Sequence, residues 1–530
     1  MDCIKLILPL LFIIISFSTT LSKGTPSNIT WWCNLTPHPD PCIYFMNHSA
    51  FAPKHRLEFR DMLVQVAKHR AMIVQDEVKR FGPRCETPHQ RAAWADCLKL
   101  YDDTILQLDR TLQGLGRTNR SCTDFDVQTW LSTALTNIQT CHLGSMDLNV
   151  TDFIVPISSG NLSGLISNSL AINQALLKTE SNGMANNSTG IDDFPSWVTR
   201  RERNLLQTPL SSVKLRPNLV VAQDGSGHFR RIQSAIDLAS RRRRMGRFII
   251  HVKKGVYREN IEVGNNNNNI MLVGDGMRRT IITSSRSVAG GYTTYNSATA
   301  GIDGLHFIAR DITFSNTAGP RKGQAVALRS ASDLSVFYRC AFQGYQDTLM
   351  VHSQRQFYKE CYIYGTIDFI FGNAAVVFQN CMIFARRPLK GQANMITAQA
   401  RGDPFQSTGI TIHNSRILAA PDLKPVIGEV KTYLGRPWQQ YSRTVIMKSY
   451  LDNLVSPSGW SRWGNSDFAL DTLYYAEYKN FGPAASTRFR VRWRGFHVIN
   501  SASASRFTVG NFIAGKSWLP ATGVPFTSGL

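Results

Sequence analysis

Two acidic residues, Asp347 and Asp368, stand 21 positions apart in the stretch from Ser335 to Arg386, SVFYRCAFQGYQDTLMVHSQRQFYKECYIYGTIDFIFGNAAVVFQNCMIFAR. Paired carboxyls can do chemistry only if the backbone brings them together, and this stretch supplies the means. The segments FYRCAF, FYKECYIY and FQNCMIF place Cys340, Cys361 and Cys381 at spacings of 21 and 20. A recurrence near 20 residues, with brief β-branched and aromatic runs broken by Gly, Asn and Gln, predicts a parallel β-helix with one coil per period. Adjacent coils lie about 4.8 Å apart, so the two acids come close enough to perturb each other's ionisation. Gln324, Gln346 and Asp368 fall at steps of 22, which brings side-chain amides onto neighbouring rungs. Two carboxyls whose environments separate their pKa values can divide acid, base and nucleophile roles. The same stacking sets the Cα atoms of Cys340 and Cys361 within the roughly 4.4 to 6.8 Å that a disulfide spans, and predicts that bridge.

Other chemistries lack their signatures. There is no G-x-S-x-G elbow to suggest a serine esterase. No His/Cys cluster has metal-ligand spacing and no acid-rich loop is of the calcium type, so neither a metal nor another cofactor is implied.

At 530 residues the chain exceeds what one core usually supports, and two domains are expected. Residues 1–22, MDCIKLILPLLFIIISFSTTLS, set Lys5 ahead of an apolar run from Leu6 to Phe17 and read as a signal peptide cut near Ser22; an uncleaved anchor is the alternative. No later stretch is long and apolar enough to span a bilayer, so no membrane attachment is expected after cleavage. Ten cysteines fit the oxidising compartment that secretion implies. N-x-[ST] triplets begin at Asn28, Asn34, Asn47, Asn119, Asn149, Asn161, Asn186 and Asn187, and none follows. Charge divides at the same place. Residues 1–207 hold 19 Lys+Arg against 19 Asp+Glu, whereas residues 208–530 hold 40 against 18, so the whole net charge of +22 belongs to the second part. A cationic secreted module calls for an anionic partner: nucleic acid, phospholipid or an acidic polysaccharide. No nucleic-acid motif is present, and the basic run Arg241 to Arg244 reads as a solvated face.

The elements that must position these residues follow from periodicity. From Trp31 to Thr179 apolar residues recur at three and four positions, in LEFRDMLVQVAKHRAMIVQDEVKRF, QRAAWADCLKLYDDTILQLDRTLQGL, Asp124 to Cys141 and Leu162 to Leu177. Four helices with polar connections predict an all-α up-and-down bundle over 29–179. Cys33 and Cys42 close a small loop, Cys97 and Cys141 tie the second helix to the third, and Cys85 and Cys122 remain a candidate pair. Residues 180–213 lose periodicity and read as a linker. Within it RRERNLLQ offers Arg200, Arg201 and Arg203 to a processing protease. From Leu219 onward short strands return, and 214–530 is expected to form a right-handed parallel β-helix.

The helical region resembles the plant invertase and pectin methylesterase inhibitor family, on CNLTPHPDPC at 33–42, ADCLKLYDDTILQL at 95–108 and LSTALTNIQTC at 131–141. The second region closely resembles the plant pectin methylesterases, on GVYRE at 255–259, TTYNSAT at 293–299, QAVALR at 324–329, GYQDTL at 344–349, DFIFGNAAVVFQNC at 368–381, LGRPW at 434–438 and WLPATGVPF at 518–526. The resemblance implies a proenzyme that hydrolyses methyl esters of homogalacturonan to methanol and pectate in the cell wall or apoplast, acting as a monomer. It assigns Asp368 as nucleophile, Asp347 as proton donor and later base, Arg436 as partner of Asp368, Gln324 and Gln346 as oxyanion donors, and Thr294, Gln324, Arg436 and Trp438 as substrate contacts. It also implies that the helical domain restrains the catalytic one until the linker is cut, although Asn204 interrupts the basic pair usual there. Tyr257 and Glu259 read as structural, and Trp460 and Trp463 are left between groove and core. A polyanionic product would attract the basic module and favour successive cleavage along one chain. Two alternatives are an inhibitor of wall enzymes acting through its helices, and a β-helix pectate lyase or polygalacturonase.

Overall fold

A computed structural model describes residues 29–47, 53–116, 121–158, 161–183, 216–241 and 246–530. The expected leader, Arg200, Arg201, Arg203 and most of the Arg241 to Arg244 run lie outside the described residues.

The N-terminal part is helical: α1 (Ile29–Cys33), α2 (Pro39–Met46), α3 (Arg56–Phe81), α4 (Pro88–Gly114), α5 (Asp124–Asp147), α6 (Thr151–Ser158) and α7 (Leu162–Gly183). The four long helices pack as the bundle that their periodicity predicts. Local chemistry sets their starts. Thr87 accepts the Gln90 N–H at 3.1 Å while the Gln90 side chain accepts the Thr87 N–H at 3.1 Å, with Pro88 at the first helical position. Thr123 and Asp126 cap α5 in the same way. The inward stripe of α3 is Val64, Ala67, Ala71, Val74 and Val78, all buried. Disulfides join Cys33 to Cys42 and Cys97 to Cys141, the second tying α4 to α5. Cys85 and Cys122 form no bridge with each other. Two helices run past their expected ends: α7 continues beyond Leu177 to Gly183, into the start of the expected linker, and α5 continues past Cys141 to Asp147, with Gly144 inside it, where a Cβ would come within 3.4 Å of Thr293 in the second domain. Among the described residues, no helix is long and apolar enough to cross a membrane.

The second domain is a parallel β-helix built of sheets with 11, 7 and 8 strands. Each central coil adds one strand to each sheet. In the 7-stranded sheet Leu328 pairs with Leu349, Leu349 with Ile370 and Ile370 with Thr397. Inside, like residues stack on like: the rings of Phe337 and Tyr358 are 4.7 Å apart and nearly parallel, and Tyr358 and Phe378 are 4.6 Å apart. One corner repeats a left-handed residue in coil after coil, with Arg339 at φ 50°, Glu360 at 54°, Asn380 at 57° and Asn414 at 49°. The residue after each, Cys340, Cys361, Cys381 or Ser415, points into the core and is buried.

The predicted Cys340–Cys361 bridge is not formed; both thiols and Cys381 are free and buried. The physical reason lies in the ladder that suggested it. Residues stacked on parallel coils project their Cβ atoms side by side, about 4.8 Å apart, whereas a disulfide needs about 3.8 Å. Each thiol turns instead to a carbonyl: Cys361 donates to Phe337 O at 3.2 Å, Cys381 to Tyr358 O at 3.5 Å, and Cys340 to Tyr338 O at 3.5 Å. Tyr257 and Glu259 are structural, as expected. Tyr257 donates to Lys253 O at 2.9 Å, and Glu259 accepts the Ile232 N–H at 2.9 Å at the start of the helix Ile232–Ser240. The asparagine run is absorbed too, since Asn268 caps the Leu305 N–H at 2.8 Å and Asn265 donates to Asp103 of α4 at 3.2 Å.

Candidate active site

A second corner of the coil, entering the 7-stranded sheet, carries the two acids. Asp347 has φ 60° and Asp368 φ 50°, a left-handed conformation that Asp tolerates better than most residues. Extending the Leu349–Ile370 register back by two sets Asp347 opposite Asp368, and the Asp347 N–H donates to Ile367 O at 3.0 Å. The 21-residue step is therefore the true coil here. The 22-residue step is not: Gln346 stands opposite Ile367 and Gln324 opposite Tyr345, each offset by one from the predicted column. Both amides nevertheless line the same cavity of about 480 Å³ as Asp347, Asp368, Arg436, Trp438 and Thr294.

Electrostatics distinguish the two carboxyls. Arg436 grips Asp368 as a fork, with Nε at 2.9 and 3.2 Å from the two carboxylate oxygens and Nη2 at 2.6 Å from Oδ2. Trp463 lies under that guanidinium, 4.3 Å from ring centroid to Arg436 Cζ, and holds its plane. Burial pushes the Asp368 pKa up and Arg436 pulls it back toward the ionised form. Asp347 has no such fork. Burial first, then the Asp368 charge and then Asp147 of α5 push it far above the usual carboxylate range, against weak opposition from Arg436. Asp368 thus stays above its ordinary value but ionises before Asp347, which is raised well above it and keeps its proton longer.

The cavity's roof comes from the helical domain: Thr140, Leu143, Gly144, Met146 and Asp147, all of α5, face the acids. Asp147 accepts the Thr294 N–H at 2.9 Å, and Asp96 of α4 accepts the Thr293 hydroxyl. Thr140 shares a 2.9 Å hydrogen bond with His352, Lys99 reaches Asp303 at 2.9 Å, and Arg355 pairs with Asp126 at 2.7 Å. Apolar residues of both domains, among them Leu131, Leu135, Met350 and Phe371, share one buried cluster. Sequence reasoning missed Asp147 and Met146 because it ended α5 at Cys141. Trp460 and Trp463, left open before, separate cleanly. Trp460 is 1% exposed and stacks on Tyr475 at 4.3 Å, while Trp463 lines the cavity. Trp438 packs beside Phe371 at the cavity floor. Among the described residues no group of three His, Cys, Asp or Glu could hold a metal ion.

Comparison with known proteins agrees with this division. Residues 218–516 match the family model described as Pectinesterase, and residues 27–172 match Plant invertase/pectin methylesterase inhibitor. The chain is 62% identical to "Probable pectinesterase/pectinesterase inhibitor 59" of Arabidopsis thaliana over 99% of its own length and 98% of that protein's. It is 53% identical to "Pectinesterase 2" of Citrus sinensis, over 99% of this chain and 100% of the other. Among solved structures, "Pectin methylesterase from Carrot" superposes with a TM-score of 0.59 at 56% identity, covering 60% of this chain and all of that one.

Proposed function

Because this chain belongs to the pectinesterase family and carries an inhibitor-type domain ahead of the catalytic one, we propose a specific division of labour for its demethylesterification of pectin. Asp368 is the nucleophile. Its carboxylate attacks the ester carbonyl carbon, and the amide N–H groups of Gln324 and Gln346 receive the oxyanion, a role worth about 3 kcal/mol per donor in acyl transfer. The tetrahedral adduct collapses as Asp347 gives its proton to the methoxy oxygen, so methanol leaves and an anhydride joins the substrate acyl group to Asp368. Water then gives a proton to the Asp347 carboxylate as its oxygen attacks the substrate acyl carbon. The bond to Asp368 breaks, releasing a galacturonate carboxyl and restoring both acids.

The observation that carries this reading is that Arg436 forks onto Asp368 alone while Asp347 sits beside it, buried and without a cationic partner in contact. Thr294 and Trp438 are the proposed substrate contacts, the indole offering an apolar face to a sugar ring.

The organisation around the site is part of the same proposal. A leader over 1–22 directs the chain to the cell wall, a linker over 180–213 is cut beside Arg200, Arg201 or Arg203 by a processing protease, and the monomeric module of 214–530 does the work. Until then the bundle of 29–179 inhibits its own catalytic domain. Support comes from α5 lying across the acids and from Asp147 holding Thr294. Methanol release from methylated pectin, measured before and after linker cleavage, tests both halves. A rise on cleavage is expected, and its loss in Asp368→Asn; near-parental turnover by cleaved Asp368→Asn would remove the proposed nucleophile.

A further inference from the structure

The outer face of the 8-stranded sheet carries a notch that the reaction does not use. Residues alternate in and out along each strand, so Ile363 is buried while Tyr362 and Tyr364 face outward. Register defines two outward columns, Thr313–Ala341–Tyr362–Met382 and Ser315–Gln343–Tyr364–Phe384. Both change from small or polar to large at the same coil. On the far side Tyr364 stacks on Phe384, 4.7 Å apart and 7° from parallel, with Tyr362 inclined 15° to the same ring. Their opposite ring faces therefore look onto the step left by Ala341 and Thr313. The other wall is the turn after the strand Ile270–Gly274, which brings up the exposed Arg278. The result is an open hollow of about 350 Å³ with two tyrosine faces on one side and a guanidinium on the other. Among the described residues neither tyrosine hydroxyl, nor Arg278, has a hydrogen-bond or ion-pair partner in the protein. Burial and the neighbouring Tyr362 raise the Tyr364 hydroxyl above its ordinary value, and the cations Arg278 and Arg386 offset part of that rise.

We propose that this notch is a second polysaccharide-binding site, taking a stretch of unesterified galacturonan, the reaction's own product. Flat aromatic faces suit the C–H face of a pyranose ring, and a guanidinium suits the carboxylate that each product residue carries. Charge points to the same occupant, since the surplus of 40 Lys+Arg over 18 Asp+Glu lies wholly in this part of the chain. Gln343, at the edge of the notch, is three residues ahead of Gln346 and four ahead of Asp347, so the notch lies one corner of the coil from the catalytic cavity. Helices cover the cavity, but the notch is lined by β-helix residues alone. The uncut chain can thus hold on to de-esterified pectin while its cleft is covered, and the cut enzyme can stay beside the block it has made. The inference takes its ligand from the pectinesterase reading and its site from the geometry.

Binding of the full uncut chain to immobilised polygalacturonate separates the alternatives, because there the cleft contributes little. Arg278→Glu and the double variant Tyr362→Ala/Tyr364→Ala are each expected to weaken binding by about tenfold, on the scale of a lost aromatic contact or charged pair. The same variants, cut at the linker, should release methanol from a short methylated oligogalacturonide at the parental rate. Parental binding by both variants would overturn the site. An equal loss from Arg488→Glu, an exposed cation elsewhere, or equal retention on polyglutamate, would overturn it in favour of generic attraction. Absence of methanol release by the cut parent would fall on the catalytic reading instead and leave the binding result standing.

Discussion

The carboxylate of Asp147 accepts the backbone N–H of Thr294 at 2.9 Å, which inserts an acid of the helical domain into the cavity of Asp347 and Asp368. Three carboxyls in one small space repel one another, so proton binding is coupled to the docking of the two domains.

The coupling has a definite sign. Burial raises Asp147 and lifts Asp96 to about 6, with Thr293, Lys99 and Arg329 offsetting only part of it. Undocked, both acids return toward about 3.9. The docked state therefore binds more protons, and its stability is fully present below the undocked value and lost as pH rises through about 6. Asp303 does not oppose this, because Arg329 and Lys99 overcome its burial and hold it below the window. His352, hydrogen-bonded to Thr140 of α5 and lowered by burial to about 3, acts in the opposite sense over the same range, so the share of the acids is read by difference. After linker cleavage, dissociation of the helical domain should rise about tenfold more between pH 5 and pH 7.5 in the parent than in Asp96→Asn. Size-exclusion or calorimetric binding across that range checks it, and identical profiles for parent and variant would contradict it.

Arg436 sets which acid is ionised. Removing the guanidinium leaves burial unopposed at Asp368, so its pKa climbs further and the proposed nucleophile charges only at higher pH. Arg436→Ala should move the acid limb of the methanol-release profile to higher pH and lower the plateau rate. Arg436→Lys, which keeps the charge but loses the fork, should fall between. An unshifted limb in Arg436→Ala would mean that another group governs it.

If Gln324 and Gln346 are the oxyanion donors proposed, they should act on the rate rather than on binding. Gln346→Ala and Gln324→Ala each remove one amide whose value lies in the tetrahedral state, so kcat should fall by about 10² to 10³ with KM little changed. Steady-state kinetics on the cut enzyme separate the two parameters. A rise in KM at constant kcat would reassign these side chains to substrate binding.

What the sequence made legible was whatever repeats. The 21-residue step at Asp347 and Asp368 is a whole coil, and the backbone transmits it faithfully. The 22-residue step at Gln324 and Gln346 crosses a coil by one residue too many, and the two side chains reach the cavity from offset rungs. No one-dimensional period can report that, because the corner loops differ in how far they swing each side chain. Docking was equally invisible. Asp147 and Asp96 meet Thr294 and Thr293 across nearly 150 and 200 residues of chain, and a helical stripe says which face is apolar without saying what covers it. Trp460 and Trp463 show the same limit, since three positions separate a core ring on Tyr475 from a cavity ring under Arg436.

The cysteines give a test in which the two domains should behave oppositely. Cys97–Cys141 spans 44 residues between α4 and α5, and a closed loop of that size contributes about 3 to 4 kcal/mol. In the β-helix, burial pushes the Cys340 thiol up to about 12 and Cys361 far above its ordinary value, so almost no thiolate exists there at neutral pH. A thiol reagent should leave Cys340, Cys361 and Cys381 unlabelled until the β-helix unfolds. Reductant should lower the melting temperature of the helical domain by many degrees and leave that of the catalytic domain in place. If reductant lowered the catalytic melt as well, Cys340 and Cys361 would have to be bridged in solution. The ladder would then have to bring their Cβ atoms closer than about 4.5 Å, inside the ordinary spacing of its coils.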